Sequence, residues 1–272
     1  MESAPTDDRR PTTDWGGTTM HILLTNDDGI DALGINTLRK AFSSLGKLTI
    51  VAPDRERSAT GHGITIHKPL RVYKMDYDNC TAYSVTGTPA DCVKIALDEL
   101  IDEPPDIIVS GINSGANLGT DVLYSGTVSA AIEGVINGIP SIAISLVLDK
   151  NRNYDLAAQV ACNVVNKVIN KGLPKETILN VNVPDIKSIE NLDFETTRLG
   201  IRKYTDSIEK RVDPRGNEYY WIAGQITDIE CNRNKQISTD ISAIAQNKVS
   251  VTPVHLDLTS YKIIDDLLTW NF

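Results

Sequence analysis

A doubly wound α/β fold on a largely parallel sheet is the architecture this sequence predicts. Short apolar runs without polar alternation recur between residues 21 and 183, as expected of strands covered on both faces. Segments of helical period separate them, which gives the strand–helix–strand rhythm of a parallel sheet. Polar, glycine-containing stretches follow several of the runs, at the strand ends where such sheets bind ligands.

Residues 21–25, His-Ile-Leu-Leu-Thr, form the first predicted strand and lead into Asn26-Asp27-Asp28-Gly29. Ile35, Leu38, Phe42 and Leu45 share one helical face, and Gly46 stops that helix. Residues 48–52 predict a second strand, closed by Pro53 and followed by a polar loop over 54–63. Residues 64–85 read as short strands. Thr88-Pro89-Ala90-Asp91 opens a helix with a capping threonine, a proline at the first helical position and an acid in the first turn. Val93, Ala96, Leu97 and Leu100 give its buried stripe. A strand over 106–110 runs into the glycine-rich loop 111–119. Val128, Ala131, Ile132, Val135 and Ile136 mark the next helix, ended by Gly138 and Pro140. A strand over 141–146, a helix over 154–171 stopped by Gly172 and Pro174, and a strand over 178–183 complete the series.

After Arg198 the texture changes. Asp213-Pro-Arg-Gly-Asn217 is a turn between Tyr-, Trp- and Ile-rich segments, which predicts a hairpin arm over 201–226. Tyr219, Tyr220 and Trp221 suit either subunit contacts or a hairpin folded on its own core. Residues 249–253 predict a last strand and 260–268 a short terminal helix. The expected organisation is a disordered extension over 1–19, an α/β core over 20–195, and an arm with terminal strand and helix over 196–272. The extension carries Pro5, Pro11, Gly16 and Gly17, and lacks the apolar core of a secretory signal. It reads as an expression scar or the product of an upstream start codon, with Trp15 its one side chain suited to docking.

The bulk properties narrow the function. A net charge of −9 over 272 residues argues against a nucleic-acid polymer as partner, since phosphate-backbone binders present a basic face. A small phosphorylated ligand stays open, provided a metal or local donors reverse the sign at the site. No apolar run approaches the ~18 residues of a membrane span. Cys80, Cys92, Cys162 and Cys231 form no C-x-x-C pair, and His21, His62, His67 and His255 no H-x-x-x-H pair. Zinc and redox sites are thereby disfavoured, and free buried thiols in a reducing cytoplasm are expected.

Adjacent carboxylates at a strand mouth repel each other unless a cation converts the repulsion into affinity. Asp27 and Asp28 therefore suggest a metal site, although Asp before Gly suits a turn or a helix cap equally well. Ser58 alone reads as a loop serine, and Asn113 as a residue stabilising its own turn. Together Asp27, Asp28, Ser58 and Asn113 make an all-oxygen set suited to Mg²⁺ or Mn²⁺. Gly115 and Gly119 let backbone N–H groups approach an anion, and Ser125-Gly126-Thr127 opens the next helix, whose dipole favours phosphate. Neither a Walker loop nor G-x-G-x-x-G is present. His62, between Gly61 and Gly63, suits a proton donor or a locally bonded loop histidine; Arg55 and Arg57 suit ligand contacts or loop anchors.

Five blocks in order resemble the SurE family (survival protein E). They are Thr25-Asn-Asp-Asp-Gly-Ile30, Val51-Ala-Pro-Asp-Arg-Glu-Arg-Ser-Ala59, Thr86-Gly-Thr-Pro-Ala-Asp-Cys-Val93, Ser110-Gly-Ile-Asn-Ser-Gly-Ala-Asn-Leu-Gly119 and Tyr124-Ser-Gly-Thr-Val-Ser129. Ser250-Val-Thr-Pro253 fits the family's C-terminal part. The resemblance implies a Rossmann-like core whose C-terminal extension is exchanged between subunits, in a homodimer or homotetramer. It implies a 5′-nucleotidase, with 3′-nucleotides and short polyphosphates as further candidate substrates. Carried over by motif, one divalent cation per subunit falls on Asp27, Asp28, Ser58 and Asn113. Asn117 and Ser125 match positions beside the substrate phosphate.

The expected chemistry is metal-assisted hydrolysis of a nucleoside monophosphate, with Asp27 or Asp28 orienting the attacking water and Asn117 and Ser125 stabilising phosphoryl charge. Phosphate contacts are expected from Asn113, Gly115, Asn117, Ser125, Gly126 and Thr127. A haloacid-dehalogenase-like phosphatase spaces its two carboxylates two residues apart, unlike this adjacent pair. A receiver-like signalling module is about half this length and needs an acceptor aspartate where Ser110 and Asn113 stand.

Overall fold

The computed structural model describes residues 19–187, 192–205, 208–222, 224–229 and 236–270. The expected extension, with Trp15, lies outside the described residues except for its last position, and so does Cys231. The chain runs β1 (His21–Thr25), α1 (Leu33–Phe42), β2 (Lys47–Pro53), β3 (Val72–Met75), β4 (Thr81–Val85), α2 (Pro89–Ile95), β5 (Ile107–Ser114), α3 (Gly126–Ile136), β6 (Ser141–Leu146), α4 (Tyr154–Lys171) and β7 (Thr177–Val183). It continues through β8 (Phe194–Thr196), β9 (Ile201–Thr205), β10 (Ile208–Val212), β11 (Glu218–Ile222), β12 (Gln225–Ile229), α5 (Asp240–Ala245), β13 (Val249–His255) and α6 (Ile264–Leu268).

Nine strands form one sheet in the order β3-β4-β2-β1-β5-β6-β7-β13-β8. From β4 to β7 neighbouring strands are parallel, as their uninterrupted apolar sequences demand. β3 and β13 run antiparallel to β4 and β7. The chain winds outward from β1 through β2 to β4, then returns to the opposite side of β1 as β5. That reversal opens a crevice at the carboxyl ends of β1 and β5.

Alternate residues of the central strands serve the two faces. Ile22, Leu24, Ile107 and Val109 pack with Ile35, Leu38 and Phe42 of α1 and with Val160 and Val164 of α4. Leu23 and Ile108 pack with Cys92 and Val93 of α2 and Ala130 of α3. Burying each such aliphatic side chain contributes about 1.5–3 kcal/mol. Gly34 is required where α1 crosses β5, because a Cβ there would lie 1.9 Å from Ile112 O.

Four local differences from the sequence expectation have physical reasons. The helix opened by Thr88 widens into a π turn over Ala96–Leu100, just before Pro104 and Pro105 forbid continuation. β5 does not end at Ser110 but continues to Ser114, past one extra residue accommodated between the Ser110–Ala143 and Asn113–Ser145 pairs. The arm is longer than 201–226. β10 pairs with β11 around a turn in which Asp213 accepts the N–H groups of Arg215 and Asn217, and β9 pairs with β12 out to Ile229. Finally, β13 enters the central sheet between β7 and β8, so residues beyond 195 divide between the arm and the core. Among the described residues no helix is long and apolar enough to cross a membrane.

Candidate active site

The acidic pair sits on the turn leaving β1, and a neighbour makes that turn. Asn26 donates from Nδ2 to Gly29 O at 2.8 Å and accepts Gly29 N–H at Oδ1 at 3.2 Å. Gly29 adopts φ +101°, which lets the chain fold back at once. The residue preceding α1 is Ala32, without a side-chain cap. Neither aspartate therefore closes the turn or caps the helix.

Asp27 is buried, and its Oδ1 accepts the Thr127 hydroxyl at 2.7 Å. Burial pushes its carboxyl up to about 6, with the Asp28 charge adding and the Thr127 bond opposing. Asp28 is partly buried and accepts Ser114 N–H at 2.9 Å. Burial raises its carboxyl too, and the charge of Glu56 adds. Two destabilised anions side by side form a place that a cation would relieve. Among the described residues no three His, Cys, Asp or Glu side chains group as metal ligands, so any cation here also needs Ser, Asn or solvent oxygens.

The 54–66 loop is stitched across this pair. Arg57 N–H donates to Asp27 O at 2.7 Å, placing Ser58 next to the acidic turn. Ser58 is exposed, and its hydroxyl donates to Glu56 Oε1 at 2.6 Å. Arg57 turns its guanidinium to Asp54 and Thr86 O, as an anchor. Gly61 N–H reaches Tyr124 O at 3.0 Å, and His62 Nε2 meets Glu133 Oε2 of α3 at 3.0 Å. The Glu133 carboxyl is held below its usual value, chiefly by that bond. Beyond His62, Gly63 O accepts the Thr88 hydroxyl and Thr65 N–H donates to Asp91, so the cap of α2 also ends this loop.

In the loop expected to offer N–H groups to an anion, four of them have acceptors within the protein. Ser114 N–H goes to Asp28, Gly115 N–H to Leu146 O, Asn117 N–H to Asn182 Oδ1 and Gly119 N–H to Asp240. The glycines serve the path of the chain, Gly115 at φ +137° and Gly119 at φ +56°. Asn113, partly buried, donates its Nδ2 to Gly115 O at 2.8 Å. Asn117 is buried and turned inward, with Nδ2 donating to Ser145 Oγ at 2.7 Å and its backbone carbonyl accepting from Asn180 and Asn182.

N–H groups without a partner in their own helix stand at the start of α3. Ser125 caps the helix by accepting Val128 N–H at 3.1 Å, and the N–H groups of Gly126 and Thr127 have no acceptor within the helix. Gly126 lies directly against Asp27: a Cβ there would meet Asp27 Cβ at 2.8 Å and Oδ2 at 3.0 Å. The structure thus brings Asp27, Asp28, Gly126 and Thr127 together in one crevice, with Asn113 and Ser125 on neighbouring segments and the Ser58 hydroxyl facing Glu56. Sequence reasoning passed over Glu56, Glu133, Ser145, Asn180, Asn182 and Asp240. Asn180 and Asn182 had a signal, two alternating amides inside the otherwise apolar strand Leu179-Asn-Val-Asn-Val183.

A doubly wound α/β protein with an adjacent carboxylate pair at the sheet's switch point, its buried member Asp27 set against a helix N-terminus, is the class these features define. A family model described as Survival protein SurE matches residues 22–206. The chain belongs to the SurE family. It is 51% identical to "5'-nucleotidase SurE" of Heliobacterium modesticaldum over 253 residues, 92% of each chain. It is also 51% identical to the protein of that name from Carboxydothermus hydrogenoformans, over 257 residues that cover 92% of this chain and 96% of the relative. The crystal structure of the SurE protein from Aquifex aeolicus superposes with a TM-score of 0.77 at 43% identity, covering 91% of this chain and 98% of that one.

Proposed function

We propose that this chain is a metal-dependent 5′-nucleotidase, releasing inorganic phosphate and a nucleoside from nucleoside monophosphates. The observation that carries the reading is the contact of the α3 N-terminus with Asp27, which joins donors for an anion to carboxylates for a cation within one crevice. The kinship with proteins named 5′-nucleotidase SurE supplies the substrate class.

The residues present fit a hard divalent cation, Mg²⁺ or Mn²⁺. Asp27 and Asp28 are carboxylates raised by burial and by neighbouring charge, and Ser58 and Asn113 add neutral oxygens. Such a cation would polarise a phosphoryl oxygen and make nearby water more acidic. The N–H groups of Gly126 and Thr127, with the helix dipole behind them, would hold the other phosphoryl oxygens. Thr127 fixes Asp27 through Oδ1, which leaves Oδ2 toward Gly126 and the crevice. Asp28, less deeply buried, would orient the attacking water.

Cleavage of 3′-nucleotides and short polyphosphates belongs to the same reading. So does a homodimer or homotetramer built through the arm, where Tyr220, Trp221 and Ile222 are exposed. The free thiols Cys80, Cys92 and Cys162 suit a reducing cytoplasm. The test is phosphate release from nucleoside 5′-monophosphates with Mn²⁺ or Mg²⁺, repeated with chelator and with Asp27→Asn. Release that survives the chelator, or a stable phosphoprotein, would sink the mechanism.

A further inference from the structure

One carboxylate outside the crevice joins three separate parts of the chain. Asp240, the first residue of α5, is fully buried. Its Oδ2 accepts Gly119 N–H at 2.7 Å, and its Oδ1 accepts the N–H groups of Gly200 at 2.8 Å and Ile241 at 2.9 Å. Gly119 and Gly200 are themselves in contact, since a Cβ on Gly119 would lie 3.0 Å from Gly200 O. Two residues before Gly119, the backbone of Asn117 is gripped on both sides by Asn182. Beyond it, Thr120 donates to Arg202 O at 2.6 Å, and Asp121 accepts from Arg202 at 3.1 Å and from the Tyr204 hydroxyl at 2.9 Å. The root of the arm is therefore bonded to the turn that leads into Ser125.

We propose that Asp240 is a positioning residue for the phosphate side of the site, fixing the 117–125 segment, and with it Ser125, from the C-terminal part of the chain. The inference rests on the nucleotidase reading and deepens it. Both carboxylate oxygens must accept, so an acid is needed at this position. In Asp240→Asn the amide would aim an N–H₂ either at Gly119 N–H or at the Gly200 and Ile241 pair. The buried donor left over frees one end of the segment, while Asp27 keeps the Thr127 hydroxyl and Asp28 the Ser114 N–H, both of which lie outside it.

The test compares wild type, Asp240→Asn and Thr239→Ala. Thr239→Ala removes the hydroxyl that caps α5 by accepting Ser242 N–H at 3.0 Å, and so destabilises the same helix without touching Gly119. For Asp240→Asn we expect the KM for AMP and the inhibition constant of inorganic phosphate to rise about tenfold each, with Mn²⁺ affinity by calorimetry within about twofold of wild type. Thr239→Ala should lower the melting temperature and leave all three constants in place. If Asp240→Asn does not fold, Gly119→Ala is read in the same assays, since its Cβ pushes the segment off Gly200, and the same tenfold rises are expected. A folded Asp240→Asn, or failing that Gly119→Ala, with wild-type constants overturns the inference, as does Thr239→Ala moving them equally. Wild-type protein that neither cleaves AMP nor binds phosphate overturns the nucleotidase reading and the inference with it.

Discussion

The Thr127 hydroxyl donates to Asp27 Oδ1 at 2.7 Å across 100 positions of sequence. This bond makes the mouth of β1 and the start of α3 one unit. It selects the rotamer of a buried carboxylate and assigns its two oxygens different partners. Groups that orient a ligating carboxylate typically change metal affinity by about 10–100-fold when removed. Thr127→Val, of nearly the same shape, should weaken Mn²⁺ binding by about tenfold in calorimetry, whereas Thr127→Ser should stay near wild type. Equal affinities for Val and Thr would mean that packing alone holds Asp27.

Gly126 has no room for a methyl group: a Cβ there would stand 2.8 Å from Asp27 Cβ, 3.0 Å from Asp27 Oδ2 and 3.1 Å from Pro89 Cγ. Gly126→Ala must push α3 away from Asp27 or rotate the carboxylate. A displacement on the order of 1 Å between the two halves of the site costs about a hundredfold in rate. The expected result is a fall of about that size in kcat/KM with the protein still folded by circular dichroism. Activity within about threefold of wild type would show that the two halves need not touch.

Asp27 also leaves a signature in stability. Its folded carboxyl lies at about 6, above the ordinary 3.8, because burial disfavours the anion. Between those values the folded protein holds a proton that the unfolded chain has lost, so stability declines as pH rises through that window. Above it the full penalty applies, about 3 kcal/mol for a rise from 3.8 to about 6. Asp27→Asn should therefore raise the melting temperature of the metal-free protein at pH 8, with the gain fading as pH falls toward 4, while activity is lost. Mn²⁺ should reverse the order, since it stabilises only the protein that binds it. A variant less stable than wild type at pH 8 without metal would contradict the assignment.

Much of the fold was legible because its causes are local. The Thr88 cap with Pro89 and Asp91, the apolar strands apart from the extension of β5, and the Asp213 turn each depend on neighbours within a few residues, and each stands where its sequence puts it. The sheet order was not legible in detail. The insertion of β13 between β7 and β8 is decided by packing between segments far apart in sequence. The site divides the same way. Asp27 and Asp28 announce themselves as an adjacent pair, and the start of α3 as a helix opening. What holds them does not, because Asn182, Asp240 and Glu133 act on residues 65, 121 and 71 positions away. The internal bonds of the glycine-rich loop are hidden for a related reason: Asn117 N–H and Gly119 N–H are held by those distant acceptors.

His62 is the residue whose two readings the geometry separates. As a proton donor to a leaving group, it would need a free nitrogen aimed into the crevice, and its loss would reshape the pH–rate profile. The structure instead puts Nε2 on Glu133 at 3.0 Å, two helical turns along α3 from Ser125, while Gly61 N–H holds Tyr124 O. Both bonds fasten the Ser58 loop onto α3, so His62 is expected to act as a latch. A partly exposed pair of this kind is worth about 1 kcal/mol, or about fivefold in any equilibrium that needs the loop closed. His62→Ala should weaken Mn²⁺ binding by about that factor and leave the shape of the pH–rate profile unchanged. It should also destabilise the fold, since Glu133 keeps a buried charge without its partner. Adding Glu133→Gln removes that charge, so the double variant should recover stability but not metal affinity. Loss of the alkaline limb of the profile in His62→Ala, with metal affinity intact, would instead make His62 the proton donor.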